Sequence, residues 1–99
     1  MHYILFYDVV DDYLEKRKPF RTEHIELARK ALGRGELVLA GDLAEPADGA
    51  ILIFSGSYPG AAEEFAKNDN YVQNGLISKW WVRKWTTVVG EGSTPPVLP

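Results

Sequence analysis

Two segments of this 99-residue chain carry apolar side chains on both faces, which restricts the folds that it can adopt. Residues 2–10 are rich in aromatic and β-branched residues, and nothing in them breaks a strand, so they are predicted to form one. Alternate residues of a strand point to opposite sides, and both sets are apolar: Tyr3, Leu5, Tyr7 and Val9 on one side, Ile4 and Phe6 on the other. Residues 50–55 repeat the pattern. Strands of this kind are expected where both faces of a sheet are covered.

The rest of the pattern predicts the order strand, helix, strand, strand, helix, strand. The charged residues 11–18 predict one or two helical turns, after which Pro19 begins a main helix that continues to about Leu32. Its buried stripe is predicted to contain Phe20, Ile25, Leu27, Ala28, Ala31 and Leu32. The remaining predictions are strands at 36–43, 50–55 and 76–89, a helix at 61–68 and a loop at 68–75.

This order is typical of the α+β ferredoxin-like βαββαβ fold, in which both helices lie on one face of an antiparallel sheet. The other face then has no helix to cover it, and an exposed apolar face of this size exceeds what monomers usually present. We therefore expect a homodimer in which a second copy covers that face. Residues 1–89 are predicted to form the domain, and the glycines and prolines of residues 90–99 predict an extended tail without a fixed fold of its own.

Composition excludes several classes of function. The chain has 11 Lys+Arg against 14 Asp+Glu, a formal charge of -3, so neither nucleic acid nor an anionic membrane is an expected partner. It has no cysteine, which excludes disulfides and thiolate chemistry and is compatible with a reducing compartment. The apolar start is too short for a signal peptide or a membrane span. A cytoplasmic location is expected.

Several segments, taken in order, resemble the YCII-related family over residues 1–86. They are YILFYDV from Tyr3, the set Arg17, Arg21 and His24, GELVLAGDL from Gly35, GAILIF from Gly49, DNYV from Asp69 and WWVRKW from Trp80. The resemblance implies a dimeric α+β barrel, in which two ferredoxin-like sheets pack face to face. It also implies a polar centre formed by His24 and Asp69. Asn70 replaces the proline of the family's DPY motif, and Asp42 stands where the family has the proline of AGP.

The two residues of this centre each have two interpretations. His24 lies beside the apolar stripe, where it can be a hydrogen-bonded core residue or a base in proton transfer. Asp69 can be a turn former, or it can hold the imidazole of His24 in one tautomer at roughly 3 Å. Asp42 is the competing carboxylate. We predict that His24 and Asp69 are catalytic and meet in a partly buried cleft.

The remaining polar residues are assigned to binding. Arg21 is one turn from His24 and can hold an anionic group beside it, although a solvated surface position is an equally good interpretation. Arg17 is expected to be a surface residue or an ion-pair partner, whereas Asp42 and Tyr71 join Arg21 as predicted substrate-binding residues. No metal and no nucleotide cofactor is expected, because neither metal-ligand spacing nor a glycine-rich phosphate motif is present.

Two functions remain open. The first is a cofactor-independent lyase or isomerase that transfers a proton on a small anionic or phenolic molecule. A hydrolase that forms an acyl-enzyme is disfavoured, because the chain has no cysteine and no serine lies in a nucleophile motif. The second is a non-catalytic small-molecule-binding or accessory protein. The aromatic and basic residues 79–85 also suggest stacking on nucleic acid. Strand alternation favours the simpler interpretation that the tryptophans are core and dimer-interface residues.

Overall fold

The computed structural model describes residues 1–93 and contains one four-stranded sheet. The elements, in chain order, are β1 (His2–Val9), α1 (Tyr13–Lys16), a 3-10 turn (Lys18–Phe20), α2 (Arg21–Gly33), β2 (Leu37–Asp42), β3 (Gly49–Ser55), α3 (Gly60–Asn68), α4 (Asn70–Gln73) and β4 (Ile77–Trp85). The strands lie in the order β2-β3-β1-β4, and each neighbouring pair is antiparallel. This arrangement confirms the predicted α+β ferredoxin-like fold.

The register of the sheet separates a covered face from an open one. On the covered face Leu5 lies opposite Leu52, and both are almost completely buried against the helices. On the open face Ile4 lies opposite Ile53, and both are only partly buried within this chain. Phe6 on the same open face stacks on Trp81 of β4, with ring centroids 5.1 Å apart. Strands β1 and β3 therefore carry apolar side chains on both the covered and the open face of the sheet, as predicted.

Helices α2 and α3 pack on the covered face. Helix α3 buries Ala62, Phe65 and Ala66, at helical spacing, against β1, β3 and β4. Helix α2 contacts β2 and buries Ala31, whereas Leu32 is 54% exposed. The prediction that Leu32 is buried was therefore wrong, because the buried stripe centres on Ala31 and Leu32 lies at its border.

Two further predictions, the end of the last strand and the loop at residues 68–75, also require correction. Strand β4 ends at Trp85 rather than at residue 89, because Trp85 pairs with His2 and β1 has no residue in the ladder beyond it. The segment at 68–75 was predicted to be a loop, but Asn70–Gln73 forms a helical turn. The Asp69 side chain caps that turn by accepting a hydrogen bond from the Tyr71 backbone N–H. Asp69, which the sequence also allowed as a turn former, therefore caps a helical turn.

The described residues that follow β4 lie against the start of the sheet. Thr87 Oγ1 is 2.7 Å from His2 Nδ1, and Gly92 lies beside the same imidazole ring. The predicted tail spans residues 90–99, of which residues 94–99 lie outside the described part of the chain. Within residues 1–93, no helix has both the length and the apolar character that crossing a bilayer requires.

Candidate functional site

The first turn of α2 and the residue before α4 bring His24 and Asp69 together. His24 Nδ1 lies 2.9 Å from Asp69 Oδ1, which is the hydrogen bond expected from the sequence. The Asp69 side chain is fully buried, whereas the imidazole of His24 keeps 14% of its surface exposed. His24 thus separates the buried carboxylate from solvent, while the catalytic roles of the two residues stay predictions.

Asp69 accepts hydrogen bonds at both carboxylate oxygens. Oδ1 accepts from the Tyr71 backbone N–H at 3.0 Å and pairs with His24, whereas Oδ2 accepts from the Tyr7 hydroxyl at 2.8 Å. Burial, followed by the negative charge of Asp69, raises the pKa of Tyr7 well above that of a free phenol, so Tyr7 stays a donor. An ionised Asp69 with these two donors in place requires the proton on His24 Nδ1, because an oxygen acceptor cannot bond a bare ring nitrogen.

The ring of Tyr71 packs against the imidazole ring of His24. The two rings are stacked, with centroids 3.8 Å apart and planes 6° from parallel. Within residues 1–93 no group meets hydrogen-bond geometry at the buried Tyr71 hydroxyl, although the Arg21 guanidinium lies close to it. Burial raises the pKa of Tyr71, and the nearby Arg21 opposes that rise. Tyr71 does not line the pocket described next, so its position supports His24 and gives no direct support to the predicted contact with substrate.

His24 faces a small pocket between α2 and the ends of β1, β2 and β3. The pocket has a volume of about 140 Å³ and is lined by Tyr7, Tyr13, Arg21, His24, Ile25, Ala28, Ala40, Gly41, Asp42, Ala50 and Leu52. An engineered apolar cavity of about 150 Å³ accommodates benzene, so this pocket has room for about one six-membered ring. Within the described chain His24 Nε2 makes no hydrogen bond, so this nitrogen is available to a ligand in the pocket.

A second carboxylate lies on the opposite wall and is already neutralised. Asp42, at the end of β2, accepts from Arg17 at 2.8 Å and from the Tyr13 hydroxyl at 3.2 Å. Arg17 also lies over the Tyr13 ring, 5.0 Å from its centroid. Partial burial lowers the pKa of Arg17, but the hydrogen bonds to Asp42 and Tyr13 outweigh this effect, so that the pKa is raised. Arg17 is therefore an ion-pair partner, and Asp42 is not bonded to His24.

Arg21 is the remaining cation of the pocket. Its side chain is exposed and lines the pocket beside His24, and it forms no ion pair within residues 1–93. Of the three predicted substrate-binding residues, Arg21 and Asp42 thus line the pocket and Tyr71 does not. The described residues contain no group of three or more histidine, cysteine or carboxylate side chains arranged to hold a metal ion.

The chain matches a known protein family over most of its length. The model of the YCII-related domain matches residues 1–86. The chain belongs to the YCII-related domain family. This match extends over β1 to β4 and includes both His24 and Asp69. Among curated proteins, none matches this YCII-related chain significantly.

Solved structures similar to this YCII-related protein share its fold at low sequence identity. One is 5-chloro-2-hydroxyhydroquinone dehydrochlorinase (TftG) from Burkholderia phenoliruptrix AC1100, in complex with 2,5-dihydroxybenzoquinone. It is 16% identical, with a TM-score of 0.73, over 95% of this chain and 100% of that chain. Another is a NIPSNAP family protein from Agrobacterium tumefaciens str. C58, also 16% identical, with a TM-score of 0.57 over 96% and 97% of the two chains. Both likenesses support the ferredoxin-like fold.

The sequence did not identify two tyrosines of the site. Tyr7 was assigned only to the apolar side of β1, and Tyr13 only to a charged helical turn. Both have buried rings, and their hydroxyls bond the site's two carboxylates, Asp69 and Asp42. A tyrosine within an apolar strand row is a weak signal for such a role, because its hydroxyl needs a partner when it is buried. Nothing in the sequence identifies that partner.

Proposed function

We propose that this protein is a cofactor-independent lyase or isomerase that transfers a proton on a small organic molecule, with His24 as the base. The observation that carries this proposal is the hydrogen bond between His24 and the fully buried Asp69 at the wall of a pocket. With its proton on Nδ1, the imidazole directs the basic lone pair of Nε2 away from Asp69. After Nε2 takes a proton from the ligand, the negative charge of Asp69 stabilises the imidazolium.

The size and charge of the pocket support a substrate with one ring and one negative charge. Its volume of about 140 Å³ accommodates one ring, with the pocket partly open to solvent, and Ile25, Ala28 and Leu52 provide apolar contact. Arg17 is neutralised by Asp42, so Arg21 is the cation that remains for an anionic group. The similar structure from Burkholderia phenoliruptrix is a dehydrochlorinase in complex with a one-ring dihydroxybenzoquinone, which agrees with this substrate class.

Deuterium exchange in D2O tests the reaction on many candidate substrates at once. The protein is incubated with a panel of one-ring phenols, enols and carboxylates that have an acidic C–H bond, and mass spectrometry detects deuterium uptake and new products. We expect exchange with at least one compound, and a loss of about 100-fold or more in the His24→Gln variant. The control is Glu26→Gln, at an exposed position of the same helix. Full exchange with His24→Gln contradicts the proposal.

The alternative is a binding or accessory protein that uses the same pocket without turnover. The identity of only 16% to the similar dehydrochlorinase is compatible with it. This alternative predicts that compounds from the panel bind, as seen in changes of the His24 ring signals by NMR. It also predicts that no compound gains deuterium or changes chemically, even after long incubation.

A cytoplasmic homodimer is part of the same proposal. The open face of the sheet carries Ile4, Phe6 and Trp81, and Leu39 on β2 is 67% exposed. A second copy packed on this face buries these side chains, which is the arrangement that the family resemblance implies. Light scattering at micromolar concentration should give twice the chain mass, and Phe6→Lys should give a folded monomer. The control variant, Leu14→Lys on α1, should stay dimeric.

A further inference from the structure

Tyr7 is a buried polar residue to which the proposed reaction assigns no role. It lies near the end of β1, between Ala50 on β3 and Trp80 on β4, and its ring is 2% exposed. The same row of β1 buries Leu5 through apolar contact alone, so packing at this position does not require a hydroxyl. Burying a phenol without a partner is unfavourable, and this hydroxyl is satisfied by a hydrogen bond to Asp69 Oδ2.

The bond made by Tyr7 fixes the orientation of the carboxylate. Asp69 Oδ1 is held by the Tyr71 backbone N–H and by His24, whereas among residues 1–93 the Tyr7 hydroxyl is the one partner of Oδ2. Without Tyr7, the carboxylate is free to rotate about its terminal bond, which has broad and shallow preferences. Such rotation moves Oδ1 out of line with His24 Nδ1.

We propose that Tyr7 is a positioning residue for His24 that acts through Asp69. Its hydroxyl holds the carboxylate plane and withdraws part of the negative charge, so that the proton stays on His24 Nδ1 and Nε2 stays directed into the pocket. This role rests on the proposed function, because it concerns the same histidine. The raised pKa of Tyr7, caused first by burial, supports it by keeping the phenol a donor throughout the physiological range.

The test replaces Tyr7 by phenylalanine, which retains the ring and removes the hydroxyl. Protein labelled with 15N at histidine reports the Nδ1 proton of His24, and His2 in the same spectrum is an internal control because it bonds Thr87. In Tyr7→Phe we expect the His24 Nδ1 proton signal to move upfield and to broaden, because the carboxylate of Asp69 is then free to rotate and its bond to His24 becomes weaker. The matched control is Tyr3→Phe, because Tyr3 lies near the start of β1, does not line the pocket, and donates its hydroxyl to the backbone carbonyl of Ser57.

Kinetics with a compound that exchanges deuterium provide the second readout. Loss of one hydrogen bond to a charged group predicts a fall of about tenfold or more in kcat, with KM little changed, because the proton of the Tyr7 hydroxyl is donated to Asp69 although the ring of Tyr7 lines the pocket. An unchanged His24 Nδ1 signal in folded Tyr7→Phe overturns the positioning role. If Tyr7→Phe does not fold, 3-fluorotyrosine at position 7 is a stronger donor to Asp69 and should change the position of the His24 Nδ1 signal, and no movement refutes the role. A responding signal without exchange in the native protein refutes only the catalytic proposal.

Discussion

Replacing Asp69 by alanine should destabilise this protein strongly, although the position lies outside the apolar core. The change leaves the Tyr7 hydroxyl without an acceptor in a buried position, at a cost of about 1–3 kcal/mol. It also removes the cap of α4 at the Tyr71 backbone N–H, worth about 1 kcal/mol. His24 is partly exposed and can reach water, so its contribution is small. We expect a total loss of roughly 2–4 kcal/mol.

Urea unfolding, followed by circular dichroism, measures this loss as a shift of the midpoint at constant slope. Asp69→Asn should lose less than Asp69→Ala, because the amide oxygen can still accept from Tyr71 and the amide nitrogen can donate to Tyr7. Asp11→Ala, at an exposed carboxylate, is the control and should change stability by less than about 0.5 kcal/mol. A loss of less than about 0.5 kcal/mol in Asp69→Ala contradicts the inferred network.

Three further predictions follow from the same structure. Asp42→Asn should lower the free energy of unfolding by about 0.5–1 kcal/mol, less so in 1 M salt, whereas Glu15→Gln at an exposed ion pair should have no measurable effect in the same urea assay. Burial raises the pKa of Tyr13 to about 12, so the unfolded chain loses this proton first and stability should fall as pH rises from about 10 towards 12. Tyr13→Phe should make that fall less steep, and Tyr58→Phe, at an exposed tyrosine, should not. Deletion of residues 90–99 should change the melting temperature little, and a large decrease would mean that the tail is structural.

The fold was largely readable from the sequence because its signals are local. The alternation of β1 and the helical spacing in α3 each depend on neighbouring residues, and both were predicted close to their observed bounds. Errors occurred where a distant partner decides the outcome. The length of β4 depends on where β1 begins, and the burial of Leu32 depends on how α2 lies on the sheet.

The sequence by itself determined the two-sided strands, the element order and the family resemblance that nominated His24 and Asp69. Only the tertiary structure decided which groups surround them, because the hydrogen bonds of Asp69 join residues 45 and 62 positions apart in the chain. It also showed that the two carboxylates have different partners, since Asp42 pairs with Arg17 whereas Asp69 bonds His24. The chemical groups of each side chain are known from the sequence. The pairing of a buried donor with its acceptor depends on how helices and strands pack, and no local sequence pattern predicts it.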